Sequence, residues 1–221
     1  MDGVLIKTGG KVHHDAFGYA FKKVYGINAT KDDAGGVEGG IDNGIITNVL
    51  SFHGLSQEKI RLKRKAATET MAKYYKAHVK DVPLEVLPGV PELLREFKKK
   101  GVPIGLLTGN VEEIAWTKVE SIGLKKFFDF GAFGDSVLKR VDLIEQSRKK
   151  AQKILNRKVN LDELFIIGDT PRDIKCARDG GIKVIAVATG KYSFEELEKE
   201  KPDLLVHTME EQKPILDFTF S

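Results

Sequence analysis

The sequence predicts an α/β protein: a Rossmann-like parallel-sheet core carrying an inserted all-helical cap domain. Three observations lead there. From Pro88 onward, short apolar runs alternate with amphipathic segments of helix length, the pattern of strands joined by crossover helices. Ahead of Pro88, after the opening residues, only helical periodicity is found. The apolar runs end in "TGN", "GDS", "GDT" and "ATG", and in an open α/β sheet the chemistry gathers beyond such strand ends.

The chain begins "MDGVLIKTGG", which reads as the end of a strand and the turn after it. In "KVHHDAFGYAFKKVYGI", Val12, Ala16, Ala20 and Val24 fall at helical spacing, with Phe17 and Phe21 widening the stripe. "GGVEGGIDNGIITNVLSFHG" opens glycine-rich and becomes a second helix, with Asp42 near its start as a cap. "SQEKIRLKRKAATETMAKYYKAHVK" contains neither Gly nor Pro and predicts a long charged helix capped by Ser56. Pro83, Pro88 and Pro91 mark the return hinge, which puts the cap at 9–85 and the core at 1–8 and 86–221.

In the core, "PELLREFKKKG" is a helix whose lysines and terminal glycine suit its C-terminus. The strand "VPIGLLTGN" follows, then the helix "VEEIAWTKVESIGL", the segment "FFDFGAFGDS" and the helix "VDLIEQSRKKAQKILN". The strand "LDELFIIGDT" leads to the short helix "PRDIKCARDGG", then to "IKVIAVATG", "SFEELEKE" and a last apolar "DLLVHT". Such alternation implies right-handed crossovers and a mostly parallel sheet.

Composition narrows the partners. The net charge of +4, from 36 basic and 32 acidic side chains, is too balanced for a nucleic-acid partner. No apolar run approaches the ~20 residues of a membrane span. A single cysteine, Cys176, excludes an internal disulfide and suits the cytoplasm. The expected assembly is a monomer or homodimer.

Four stretches carry chemistry. In "FIIGDTPRDIKCA", Asp169 and Asp173 stand four residues apart where a strand passes into a helix. They could supply two hard oxygens to Mg²⁺, or simply cap the helix. In "PIGLLTGN", Thr108, Gly109 and Asn110 offer a hydroxyl and backbone N–H groups to a phosphate, or form an ordinary turn with Asn110 as N-cap. In "GDSVLKRVDL", Lys139 and Arg140 could balance a phosphorylated intermediate or be a solvated pair. Asp2-Gly3 would face the same crevice.

In their order, "MDGVLI", "LLTGN", "LKR" and "GDTPRD" resemble the four motifs of the haloacid dehalogenase superfamily, in its branch of helical-capped, phosphoglycolate phosphatase-like enzymes. The resemblance implies Mg²⁺-dependent hydrolysis of a small phosphorylated metabolite through an aspartyl-phosphate. Asp2 would be the general acid/base, its carbonyl reaching the metal. Thr108 would hold the transferring phosphoryl group, with Gly109 and Asn110 beside it. Arg140, or else Lys139, would fill the basic position. Asp169 and Asp173 would hold Mg²⁺ directly or through water. The family's nucleophile falls one position ahead of Met1. The given chain is therefore expected to be inactive, and the native one to begin upstream with an apolar central strand.

Asp2 favours phosphate chemistry over carbon–halogen cleavage, which needs no protonated leaving group. A sugar-phosphate mutase and a non-catalytic metal- or phospho-ligand-binding protein remain alternatives. The cap stretch "GGVEGGIDNGII" is the expected substrate-facing turn, with Asp42 or Asn43 in contact. His13-His14-Asp15, the basic run "EKIRLKRK" and Cys176 read as ordinary helix surface or packing, and Trp116, Phe127 and Phe128 as core.

Overall fold

The computed structural model describes residues 1–7, 10–35, 40–81 and 83–220. The helical periodicity of the cap becomes α1 (Gly10–Ala20, prolonged by a π-helical turn, Phe21–Tyr25), α2 (Asp42–Phe52) and α3 (Gln57–His78). Ser56 caps α3 by accepting from the Lys59 N–H. The three apolar stripes close on Phe17, Phe21, Ile46, Leu50, Met71 and Tyr75, all at most 1% exposed. That burial supplies most of what holds the three helices together. The cluster reaches across to Val111 and Ile114, so the cap is seated on the core.

The chain leaves for the cap and returns through one narrow hinge. Ile6 and Val86 form an antiparallel bridge, flanked by Lys7 N–H to the Glu85 carbonyl and Leu87 N–H to the Leu5 carbonyl, both 3.0 Å.

The core follows as α4 (Val90–Lys99), β1 (Gly105–Thr108), α5 (Glu112–Ser121), β2 (Phe130–Phe133), α6 (Asp142–Leu155), β3 (Phe165–Gly168), α7 (Pro171–Asp179), β4 (Lys183–Val187), α8 (Phe194–Lys199), β5 (Leu204–Val206) and α9 (Gln212–Phe220). Strand pairing is parallel throughout, as the alternation predicts. α9, "QKPILDFTF", follows the last apolar run read from the sequence, and its proline stands in the first turn, where proline is tolerated. It forms because Ile215 and Phe218 pack into the core cluster.

Side chains alternate between two covered faces. Phe165, Ile167, Ile185 and Val187 join α4, α5 and α9 in one cluster. Ile166, Val184 and Ala186 join α7 and Ile144 of α6 in another. The sheet itself is in two pieces, β1–β2 and β3–β4–β5. A cavity of about 700 Å³ lies between them, lined by β1 on one side and β3 on the other, with Met1 among its walls. Among the described residues, no helix is long and apolar enough to cross a membrane.

Candidate active site

The predicted residues converge at the carboxyl ends of β1 and β3. Asp2 is delivered by a tight turn in which the Met1 carbonyl accepts from Leu5 N–H at 2.8 Å and Gly3 N–H reaches the Ile6 carbonyl at 2.7 Å. Gly3 has φ +74°, and a Cβ there would collide with the Asp169 carboxylate, so only glycine lets the turn pass so close. Thr189 Oγ1 donates to the Gly3 carbonyl at 2.6 Å and ties the turn to the end of β4.

The Asp2 carboxylate meets a cation that the motif reading passed over. Lys118 Nζ, on α5, donates to both Asp2 oxygens at 2.9 and 3.0 Å. The lysine is completely buried, whereas the Asp2 side chain is 34% exposed. Asn110 Nδ2 adds a donor to Asp2 at 3.1 Å and another to Thr108 Oγ1 at 2.9 Å. Burial opposes ionisation of Asp2, but Lys118, the Met1 amino group and His13 outweigh it and hold the carboxyl far below the usual range. The helix surface around Lys118 held a signal. It lies four residues after Ile114 and three after Ala115, on the stripe that α5 buries. A lysine on that stripe needs a carboxylate partner.

Thr108 and Asn110 are 4% and 7% exposed. Asn110 does not cap α5; Val111 holds that position, and the Asn110 side chain turns back to the strand end. Gly109 is where core and cap backbones touch: its carbonyl accepts from Asp42 N–H at 2.8 Å, and a Cβ would strike the Gly40 carbonyl.

Across the cleft, Arg140 rather than Lys139 turns inward. Arg140 donates to Asp173 Oδ1 at 2.6 Å, while Lys139 is exposed. Arg140 therefore braces an expected metal ligand. Asp173 also closes a capping box with Thr170 at the start of α7. Burial opposes its charge, yet Arg140 prevails and keeps its carboxyl low. Asp169 differs: burial first, then the charges of Asp173 and Asp2, push it up to about 6, against the Met1 amino group.

This crowding bears on Mg²⁺. Among the described residues no three His, Cys, Asp or Glu side chains form a ready-made metal group. The donors present are hard carboxylate oxygens, and the neighbouring charges of Asp173 and Asp2 act against ionisation of Asp169, a crowding that Mg²⁺ would relieve, with water and substrate oxygens completing its shell. Asp169 would bind it directly or through water. Asp173, held by Arg140, would bind through water.

On the cap side, Asp42 Oδ2 accepts from Val111 N–H at 2.8 Å and contacts His13 Nε2 at 3.1 Å. Asn43 Nδ2 donates to the Asp135 carbonyl at 2.8 Å, and Asn43 Oδ1 is buried without a partner. Asp42 thus lies inside the first turn of α2, behind Ile41, and links cap to core instead of capping its own helix. Residues 36–39 of the expected substrate-facing turn lie outside the described residues. His14 contacts Asp32 at 2.8 Å. Cys176 is buried, with burial pushing its thiol up to about 11.

The chain is similar to known proteins over most of its length. The family described as haloacid dehalogenase-like hydrolase matches residues 1–187. A Bacillus cereus protein named pyrophosphatase PpaX is 30% identical over 127 residues, which are 58% of this chain and 57% of that protein. The matched stretch thus spans little more than half the relative's length. Among solved structures, β-phosphoglucomutase from Clostridium difficile superposes with TM-score 0.71 at 20% identity, covering 99% of this chain and 93% of the other. CbbY from Rhodobacter sphaeroides, solved with phosphate, gives TM-score 0.62 at 18% identity over 96% and 93%. These two share the fold, and the match over residues 1–187 makes the chain a member of the haloacid dehalogenase-like hydrolase family.

Proposed function

We propose that this protein is a Mg²⁺-dependent phosphatase that acts on a small phosphorylated metabolite through an aspartyl-phosphate. The observation that carries the reading is the convergence of the motif residues on one cleft: Asn110, just past the end of β1, bonds Asp2, and Gly3 packs on Asp169, just past the end of β3. In the proposed reaction an aspartate carboxylate attacks phosphorus, the bond to the leaving oxygen breaks, and Asp2, protonated from water once Lys118 turns to the phosphoryl oxygens, gives that oxygen its proton. Asp2 then takes a proton from water, whose oxygen attacks phosphorus and frees phosphate and the carboxylate. Thr108 and Lys118 would hold the phosphoryl oxygens, with Gly109 and Asn110 lining the approach. Lys118 takes the basic position first given to Arg140. Bound Mg²⁺ would neutralise phosphoryl charge.

The cap, 9–85 in this division, would enclose the substrate. The separate hydrophobic cluster of α1–α3 and the single hinge at Ile6 and Val86 support those limits. The proposed compartment is the cytoplasm. The relative named a pyrophosphatase favours pyrophosphate as a second candidate substrate.

The test is a chain extended at its N-terminus by an apolar strand ending in Asp, assayed with and without Mg²⁺. Its substrates are p-nitrophenyl phosphate, 2-phosphoglycolate, glucose 1-phosphate and pyrophosphate. Mg²⁺-dependent phosphate release, lost by at least ~100-fold in Asp2→Asn and Lys118→Met, is the expected result. Inactivity of a folded, extended chain on every substrate would leave the binding-protein reading standing.

A further inference from the structure

We propose that Asp42 is a positioning residue for Asn110. From the cap it grips the core backbone on both sides of that residue, so that Asn110 meets Asp2 only while the cap is seated. The role in the reaction rests on the acid/base reading of Asp2; the contacts do not.

The grip has two points. Asp42 N–H donates to the Gly109 carbonyl at 2.8 Å, and Asp42 Oδ2 accepts from Val111 N–H at 2.8 Å. Asn110 is the residue between. Its carbonyl accepts from Gly134 N–H at 2.9 Å, and its N–H reaches Thr108 Oγ1 at 3.2 Å. With these backbone groups committed, the Asn110 peptide is fixed in orientation. Its side chain then spans Asp2 at 3.1 Å and Thr108 at 2.9 Å. Val111, at the N-cap of α5, offers no side-chain acceptor of its own. The cap domain therefore supplies a carboxylate where the unmet N–H groups and the helix dipole favour one.

Glycines let the two backbones come this close. A Cβ on Gly109 would strike the Gly40 carbonyl, and one on Gly134 would strike the Gly109 carbonyl and Ile41. Apolar burial against Val111 and Ile114 seats the cap, but such burial has no direction. The hydrogen bonds set the register instead. Asn43 Nδ2 on the Asp135 carbonyl, at 2.8 Å, is a further cap–core contact that does not involve Asn110.

Asp42 is braced in turn from within the cap. It is 2% exposed, and His13 Nε2 lies 3.1 Å from the same Oδ2 that meets Val111. The His13 ring packs against Phe17 and Tyr75, with centroids 5.3 and 6.1 Å away, and both belong to the cap cluster. A buried carboxylate engaged on two sides in this way suits bracing rather than substrate contact.

The test compares Asp42→Ala, Asp42→Asn and Asn43→Ala with the parent chain by NMR. It follows the Asn110 side-chain amide, the Asp2 carboxyl carbon and amide exchange at Val111. Asp42→Ala should quicken Val111 exchange by at least ~10-fold and shift the Asn110 and Asp2 signals, with the backbone amide signals of Leu50 and Ile185 in place. Asp42→Asn keeps an oxygen for Val111 N–H and should keep the parent signals. Asn43→Ala removes a cap–core contact and should leave Asn110 and Asp2 unmoved. Unmoved Asn110 and Asp2 signals in Asp42→Ala, or equal shifts in Asn43→Ala, would overturn the proposal. Should Asp42→Ala not fold, Asp42→Ser, whose hydroxyl stops one atom short of the carboxylate oxygen, carries the same comparison. These signals report contact geometry whatever the phosphatase assay gives, so the two readings fail separately.

Discussion

The site holds two carboxylate–cation pairs built in opposite senses. In Asp2–Lys118 the cation is completely buried and the carboxylate 34% exposed; in Asp173–Arg140 the carboxylate is 9% exposed and the cation 18%. The first pair sinks its positive charge beneath α5 and displays the carboxylate to the cleft. The second sinks its carboxylate against the start of α7 and clamps it with a guanidinium. A displayed carboxylate can exchange protons with a substrate, whereas a clamped one is fixed in place. The same salt bridge chemistry therefore serves presentation on one side of the cleft and bracing on the other.

Removing single partners breaks the comparison where it is sharpest. Asp2→Asn strands a buried ammonium and should cost about 3–5 kcal/mol, about 10 °C in Tm at this chain length. Lys118→Met leaves a carboxylate that water already reaches, and should cost no more than about 1–2 kcal/mol. The double variant should recover part of the Asp2→Asn loss. Thermal unfolding of the three proteins measures this, and equal losses for the two single variants would show that the pair is not asymmetric.

Asp169 gives the next effect because it has neither display nor clamp. Its carboxyl, near 6 in the folded protein against 3.8 for an ordinary aspartate, binds a proton more readily folded than unfolded. Stability from this group is fully present below about pH 4 and is lost as pH rises to 6, by roughly 3 kcal/mol. Asp169→Asn, in the presence of a chelator, should therefore stabilise the protein by up to that amount at pH 7.5. At pH 4 it should change little. Asp173 has the opposite sign: its lowered pKa contributes stability above the ordinary carboxylate range, which fades as acid protonates it. Arg140→Lys keeps the charge but loses the planar fork. It should cost about 1–2 kcal/mol at neutral pH, with a smaller deficit in acid, as urea unfolding at two pH values would show.

Much of this was legible in the sequence, for identifiable reasons. β1, β3 and β4 are apolar runs closed by glycine or small polar groups, so length and punctuation alone locate them. Asp169 and Asp173 stand at a strand-to-helix junction that local spacing reveals. Three features needed the third dimension. α9 lies beyond the last run that the pattern marks, and only its packing shows Ile215 and Phe218 joining the core cluster. The Asp2–Lys118 pair spans 116 positions, and no local pattern links its members. Arg140 and Lys139 are adjacent, and only the path of the loop decides which one points in.

That last choice yields the smallest prediction and the cleanest control. Lys139 is exposed, and its backbone carbonyl, which accepts from Asp142 N–H at 3.1 Å, survives any side-chain change. Lys139→Ala should therefore alter stability by less than about 0.5 kcal/mol. It should also leave the acid-unfolding midpoint unmoved, because the side-chain cation that lowers the Asp173 pKa is Arg140. A Lys139→Ala midpoint displaced towards that of Arg140→Lys would mean that the two side chains share the inward position. The clamp on Asp173 would then be a property of the loop rather than of one guanidinium.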